Sequence, residues 1–180
     1  MGTPQFSILP YGQPPFIAGQ ITQKIDAGSA ANKDSVNIDF GLGVKPGTYV
    51  KEALLPTASS SIFDGLVVWE TVDAPGTFGN IDQSSATKGI KPNAFMTLLR
   101  EGRGIAIVDA DTTVTPNVTR LYWRFETDGA SNTKVGTFRH SDDGHVVDTR
   151  NQVLAIGPIF TGPDGVQKLC EVYVSTSNKA

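Results

Sequence analysis

Glycine and proline recur so often along this chain that long helices have little room to form. The sequence holds 19 glycines and 11 prolines in 180 residues. Both interrupt regular structure, because proline lacks a backbone donor and glycine readily adopts turn conformations. Short strands joined by turns fit this pattern better than helices do. The sequence therefore predicts an all-β fold, a single β-sandwich or barrel-like domain of short antiparallel strands.

The clearest strand is predicted at residues 119–126. Apolar and charged residues alternate there, and alternate side chains of a strand point to opposite faces of the sheet. One face is expected to pack into the core and carries Leu121, Trp123 and Phe125. The opposite face is expected to meet solvent or a partner and carries Arg120, Tyr122, Arg124 and Glu126.

Other segments of the first half are assigned from composition and alternation. Residues 26–34 are small and polar, which predicts a loop. Residues 36–40 alternate between apolar and polar side chains, as a half-buried strand does. The apolar run 62–72 predicts a strand buried on both faces, with a bulge or a tight backbone approach at Gly65.

The second half is predicted to contain hairpins. Segments 95–100 and 105–108 flank a loop with two glycines, which is typical of a β-hairpin, and one short helix over 94–99 is the alternative. The last strands are predicted at 152–156 and 166–174, with turns at 157–158 and 161–165 between them. In the final strand, Cys170 is expected to be a small buried apolar residue.

The first 16 residues form a segment of their own. They carry four prolines between large apolar side chains, so we expect an extended arm, with a disordered terminus as the alternative. The remaining residues, 17–180, are predicted to be one β-domain with a long insertion loop at about 73–91. The apolar groups of the arm need a surface to lie on. The candidate contact residues are Phe6, Ile8, Leu9, Tyr11 and Phe16.

Charge and composition argue against several classes of partner. The net charge is −3 and charged residues make up only 18% of the chain, so we expect no basic patch and no nucleic acid as partner. No stretch approaches the ~20 apolar residues that a membrane helix needs, and we expect no membrane partner. The N-terminus also lacks the basic and apolar regions of a secretory signal peptide. One cysteine excludes an intrachain disulfide.

Few residues are arranged as catalytic or metal sites require. His140 and His145 enclose an Asp-Gly pair, which is typical of a hairpin turn on the surface. A closed zinc site needs three or four Cys or His ligands, whereas the chain has two histidines and one cysteine in total. Asp109 and Asp111 resemble the start of a calcium loop, but its glycine and its final glutamate are missing. We therefore predict no catalytic residue, no cofactor and no metal site.

Four segments follow one another in an order found in a known family. They are FIAGQI at 16–21, FGLGVKPGT at 40–48, FDGLVV at 63–68 and LLREGRGIAIV at 98–108. This order resembles the structural cement, or head decoration, proteins of tailed bacteriophages. The similarity continues through residues 121–124 and 135–139, so it covers most of the chain.

The resemblance implies a small β-domain on the outer surface of a phage capsid, made in the host cytoplasm and carried in the virion. Its expected partners are the major capsid protein and two further copies of itself in a homotrimer. It would stabilise the shell by bridging capsomers, and it would be no enzyme. Two alternatives come from other classes. A virion carbohydrate-binding or fibre-like module would need Tyr122, Trp123 and Tyr173 to form a platform for sugars, and a small hydrolase would need a pocket holding His140 or His145 beside a nucleophile.

Overall fold

The computed structural model describes residues 18–69, 81–82, 89–129, 134–162 and 165–177, with the backbone alone at 81–82. This part of the chain contains twelve β-strands and no helix, so the all-β class is confirmed. The proposed arm, with Phe6, Ile8, Leu9, Tyr11 and Phe16, lies outside the described residues. The strands are β1 (Ile21–Asn32), β2 (Gly43–Pro46), β3 (Glu52–Leu54), β4 (Gly65–Val68), β5 (Ile81–Asp82), β6 (Gly89–Ile90), β7 (Phe95–Val108), β8 (Tyr122–Arg124), β9 (Phe138–Arg139), β10 (Val146–Asp148), β11 (Val153–Thr161) and β12 (Lys168–Ser175).

Strand β7 organises a mixed sheet of ten strands. It pairs with β1, β4, β9 and β12, and the sheet continues from β9 through β8 to β10. Strands β1, β3, β2, β4 and β7 pair in a closed circuit, because β1 also pairs with β7. The β1–β3 and β7–β9 pairs are parallel. The expectation of short antiparallel strands is therefore wrong in detail, since β7 spans 14 residues and β1 spans 12.

Two buried apolar clusters lie on opposite faces of β4 and β7. Leu66 and Val68 of β4 belong to the first cluster and Val67 to the second, so a strand with two buried faces is confirmed at Gly65–Val68. The predicted run 62–72 was too long at its start, because Ile62 is exposed, and residues 70–72 lie outside the described ranges. The tight approach at Gly65 is confirmed as well, because a Cβ there would lie 3.0 Å from the Leu99 carbonyl oxygen. The second cluster draws residues from every strand of the closed circuit, for example Ala30, Val44, Ala53, Val67 and Leu98.

The first cluster confirms most of the core predicted near the C-terminus. Leu121 and Trp123 are fully buried, and Cys170 shares its face of β12 with Val172 and Val174. Phe125 is only half-buried, because β8 ends at Arg124 and the chain turns away there.

One continuous strand replaces the predicted hairpin at 95–108, and the alternative of a short helix is also wrong. The glycine-containing stretch lies within β7 at a β-bulge, since the pairing of β1 with β7 shifts register around Gln23 and Lys24. Gly102 makes this possible with a φ of 136°, and a Cβ there would lie 2.2 Å from the Gln23 carbonyl oxygen. Glycine thus allows β7 to continue where a turn seemed to begin.

Residues 26–32 belong to β1, so the predicted loop at 26–34 is wrong over most of its length. Its small side chains fit beneath long neighbours, since a Cβ at Gly28 would lie 2.8 Å from Nη1 of Arg100. Pairing with β7 and β3 supplies the hydrogen bonds that composition could not reveal. The strand predicted at 36–40 is wrong too, because Ile38 forms only an isolated bridge, with Ile90.

The remaining predicted turns have different outcomes. Strands β11 and β12 pair as a hairpin on either side of 161–165, which agrees with the predicted turn, and residues 163–164 themselves lie outside the described ranges. Residues 157–158 instead lie inside β11, where a register shift between Ala155 and Ile159 accommodates them. The predicted insertion at 73–91 contains β5 and β6, which pair with each other. No helix that could cross a membrane occurs in the described ranges.

Candidate functional site

The β2–β3 hairpin ends in a protruding turn, which we call the hairpin tip (residues 47–52). Tyr49 is 74% exposed and Val50 is 92% exposed. The tip is braced from below. The backbone N–H of Tyr49 donates to Oε2 of Glu52 at 3.0 Å, and the N–H of Gly47 donates to the Glu52 carbonyl at 2.8 Å. Ala31 of β1 donates to the carbonyl of Lys51 at 2.7 Å. The two apolar side chains therefore project from a fixed backbone.

A third exposed apolar side chain lies at the same end of the sheet. Ala31 pairs with Glu52 on one side and with Phe95 on the other. Because neighbouring strands lie about 4.8 Å apart, Phe95 is roughly 10 Å from Glu52. Phe95 is 60% exposed. The hairpin tip and Phe95 together form an apolar end of the sheet.

A cluster of charged side chains, which we call the arginine cluster, contains Arg124, Arg139, Asp109, Asp111 and Asp143. The first three are buried, Asp143 is partly buried and Asp111 is exposed. Arg124 has a fully buried side chain and donates from Nε and Nη2 to Oδ2 of Asp109 at 2.8 and 2.6 Å. Its Nη2 also lies 2.7 Å from Oδ2 of Asp143. Arg139 pairs with Asp143, and with Asp111 at 3.0 Å. Asp143 thus bridges the two arginines, and a fourth carboxylate, that of Asp128, lies 3.8 Å from Nη2 of Arg124.

The arginine cluster joins elements that are distant in sequence. Asp109 directly follows β7, Arg124 ends β8, and Asp143 lies in the loop between β9 and β10. The second carboxylate oxygen of Asp109 also has a hydrogen bond, because Oγ1 of Thr137 donates to it at 2.5 Å. The expectation that Arg124 faces solvent or a partner is wrong, because these carboxylates satisfy its donors inside the protein. The sequence did not predict that Asp109 would hold Arg124, and its position directly after a buried apolar strand was the available signal.

Asp143 titrates abnormally in this setting. Burial alone would raise the pKa of Asp143, but hydrogen bonds from Arg124 and the His145 backbone, with the charges of Arg124 and Arg139, outweigh it and hold the pKa below its ordinary value of 3.8. A carboxyl whose pKa is lower in the folded chain than in the unfolded chain stabilises the fold when ionised. This contribution is complete above the unfolded pKa and is lost as pH falls through the folded value.

Replacing Asp143 with asparagine is therefore expected to lower the free energy of unfolding at pH 7, with a difference from wild type that shrinks below about pH 4. Urea unfolding at a series of pH values measures this. Asp142→Asn is the matched control, because Asp142 is exposed and accepts a hydrogen bond from the backbone N–H of Gly144 within its own turn. A difference between wild type and Asp143→Asn that stays constant down to pH 3 would contradict the prediction.

His140 and His145 do not flank a hairpin. Strands β9 and β10 pair with opposite edges of β8, so the loop holding both histidines crosses over that strand. Nδ1 of His140 accepts from the Thr113 backbone N–H at 3.2 Å, and Nδ1 of His145 lies 3.4 Å from Glu126. Across the described residues, no group of three or more His, Cys, Asp or Glu is placed to hold a metal ion.

The clefts and the thiol offer little to the alternative functions. Among the clefts in the described part, one of about 240 Å³ and one of about 290 Å³ have no histidine in their lining. The larger has one aromatic lining residue, Phe63, which is only 4% exposed. Trp123 is fully buried and cannot stack on a sugar. Burial, with the neighbouring Glu171 carboxylate, raises the pKa of Cys170 to about 12, so its thiol stays protonated.

A comparison with protein families matches residues 5–175 to the model of phage structural cement proteins, described as structural cement protein (E217 gp24/Pam3 gp6). No significant match is found among curated proteins. The family match spans nearly the whole chain and includes the glycine-rich segments whose order pointed to it. The protein therefore belongs to the phage structural cement protein family.

Proposed function

We propose that the protein attaches to the outer surface of a phage head, binds the major capsid protein and stabilises the shell by bridging neighbouring capsomers. The family match over residues 5–175 is the observation that carries this proposal. As a structural cement protein, the chain is a component of the virion capsid. The family is a structural one, which supports a role without catalysis, and the protonated thiol of Cys170 agrees with it.

The physical argument is mechanical. DNA packed inside a head pushes the capsomers apart, and a protein that spans two of them opposes this with binding energy. A stiff body transmits force better than a loose one. The closed circuit of β1, β3, β2, β4 and β7, filled by its own apolar cluster, supports a barrel-like body of this kind. A homotrimer around one axis would add modest contacts through effective concentration.

The proposal is tested by titrating the purified chain onto undecorated capsids. We expect saturable occupancy and a higher temperature of shell disruption when the sites are filled. A protein that binds only the intact shell stabilises that shell by mass action. Capsids that bind no protein at micromolar concentrations, or that bind it and break at the same temperature, would overturn the proposal.

The arm is proposed to add to this attachment. Removing residues 1–16 is expected to weaken capsid binding at least tenfold while leaving the melting temperature of the free protein nearly unchanged. Each large apolar side chain buried on binding contributes roughly 1.5 to 3 kcal/mol before ordering costs, and prolines reduce those costs. Titration of truncated and full-length chains onto the same capsids measures the loss.

A substitution variant of full length controls for the shortened chain. Phe6→Ser with Leu9→Ser keeps the prolines and removes apolar area, so it is expected to lose part of the affinity. Equal occupancy for the truncated and intact chains would show that the arm is not a capsid contact. A large fall in melting temperature would show instead that the arm belongs to the core of its own chain.

A further inference from the structure

We infer that the hairpin tip is a docking contact with the capsid shell, with Tyr49 and Val50 as anchors and Phe95 beside them. The inference rests on the proposed function and adds the surface that performs it. Two observations support it. Tyr49, Val50 and Phe95 are highly exposed at one end of the sheet, and hydrogen bonds hold the backbone of the tip in place.

The exposure of these side chains is unusual for where they lie. A Tyr and a Val at the turn of a hairpin, 74% and 92% exposed, place apolar area in water, whereas polar residues are the common choice in turns. Isolated exposed apolar residues need no explanation, but Tyr49 and Val50 are adjacent and Phe95 lies at the same end of the sheet. Clustering of this kind marks surfaces that a partner covers.

The bracing makes the tip a good anchor. Glu52 accepts hydrogen bonds from the tip through both its carboxylate and its carbonyl, and Ala31 ties Lys51 to β1. Docking a preformed turn costs little conformational entropy, so more of the burial energy appears as affinity. Tyrosine is also among the residues that most often dominate binding interfaces, because its ring buries a large area with few rotatable bonds.

Phe95 is presented in a similar way. Ala31 is its cross-strand neighbour, and side chains of directly paired residues lie on the same face. The next pair on that face of the two strands is Ser29 with Thr97, and both side chains are small as well. Phe95 therefore projects above short neighbours and can enter a groove that also receives the hairpin tip.

The available area selects the shell over a second copy of the chain. An aromatic side chain buries about 150 to 250 Å², so two aromatics and one valine bury roughly 400 to 600 Å². A stable pairwise interface needs about 800 Å² from each partner. This end of the sheet is too small to hold a dimer by itself. On a shell it adds to other contacts of the same copy through effective concentration.

The shape and charge of the tip describe its receptor. A convex apolar turn needs a concave apolar pocket on the capsid surface. Lys51 is exposed directly beside Val50, so an acidic rim around that pocket would complement it.

The test uses the full-length chain and undecorated capsids. The tip variant is Tyr49→Ser with Val50→Ser, and it is expected to bind capsids at least about tenfold more weakly than wild type. Its melting temperature should be unchanged, because the bracing bonds at residue 49 use the backbone. The matched control is Ile25→Ser with Val118→Ser, which removes two apolar side chains that are 54% and 68% exposed elsewhere. This control should bind like wild type.

Each outcome decides between the two proposals. If wild type itself fails to bind capsids, the proposed function falls and the docking contact falls with it. If wild type binds and the tip variant binds equally well, only the docking contact is overturned. A tip variant that changes sedimentation of the free protein while capsid affinity stays constant would assign the tip to contacts between copies, which also overturns it. Should the double variant fold poorly, Val50→Ser alone is expected to reduce affinity measurably in a chain of normal stability.

Discussion

Replacing Arg124 with alanine is expected to destabilise the protein by about 3 to 5 kcal/mol, because the change leaves the buried Asp109 carboxylate without its cation. Arg124 is fully buried and bonds Asp109 and Asp143 together. Asp109 is itself fully buried, so water cannot replace the guanidinium without opening the structure. The loss should therefore far exceed that of a surface ion pair, which is about 0 to 1 kcal/mol.

Urea unfolding of two companions sharpens this test. Arg124→Lys keeps the charge but loses the fork of donors that reaches Asp109 from Nε and Nη2, so an intermediate loss is expected. Arg120→Ala is the matched control, because Arg120 is exposed four residues earlier on the same segment, and it should cost less than about 0.5 kcal/mol. If Arg124→Ala lost less than about 1 kcal/mol, the arginine cluster would contribute no more to stability than a surface ion pair does.

The part of the fold that could be predicted is the part governed by local pattern. Leu121 and Trp123 alternate with polar residues and are buried, and the uninterrupted apolar run around Leu66 forms a strand covered on both faces. In these cases each residue's own chemistry decides its position. The face of β12 that holds Cys170 follows from the same rule.

Non-local pairing decided the rest. The small residues of β1 have weak strand preference, but β7 and β3 complete its hydrogen bonds. In β7, Gly102 was interpreted as a turn residue, whereas the strand continues past it because β7 pairs with β1 on one edge and with β12 on the other. Residues 157–158, which also looked like a turn, likewise lie within β11, where pairing with β12 continues after a register shift. Composition cannot show which strand lies alongside.

The alternating pattern at 119–126 also led to the wrong prediction for Arg124, because such a pattern places every charged residue on the solvent face. The partners that allow burial, Asp109 and Asp143, lie 15 and 19 residues away and come together only when β9 inserts between β7 and β8. The hairpin tip was missed for a different reason. Tyr49 and Val50 come shortly after the pair Pro46-Gly47, with Thr48 between, and two apolar residues so close to turn-forming residues were a usable signal of an exposed apolar turn.

Truncating Trp123 to alanine is expected to cost about 3 to 5 kcal/mol, since it empties the largest site of the first cluster. The indole is fully buried, and the ring of Phe63 contacts it edge-on at 5.5 Å between centroids. Phe63 in turn lies 5.9 Å from Phe138. Gly43 closes the pocket, where a Cβ would lie 2.5 Å from the indole Nε1. The rings of Phe63 and Phe138 and the backbone at Gly43 surround the indole closely, so they have little freedom to fill the cavity that alanine would leave.

Trp123→Phe separates packing from polarity at this site. The indole Nε1 has no hydrogen-bond partner among the described residues, and an unsatisfied buried donor costs about 1 to 3 kcal/mol. Phenylalanine removes that donor and keeps most of the apolar ring, so the two effects offset each other and the expected loss is only about 1 kcal/mol. Urea unfolding of both variants measures the contrast. Equal losses for Trp123→Ala and Trp123→Phe would mean that the Nε1 position, not the bulk of the ring, stabilises the first cluster.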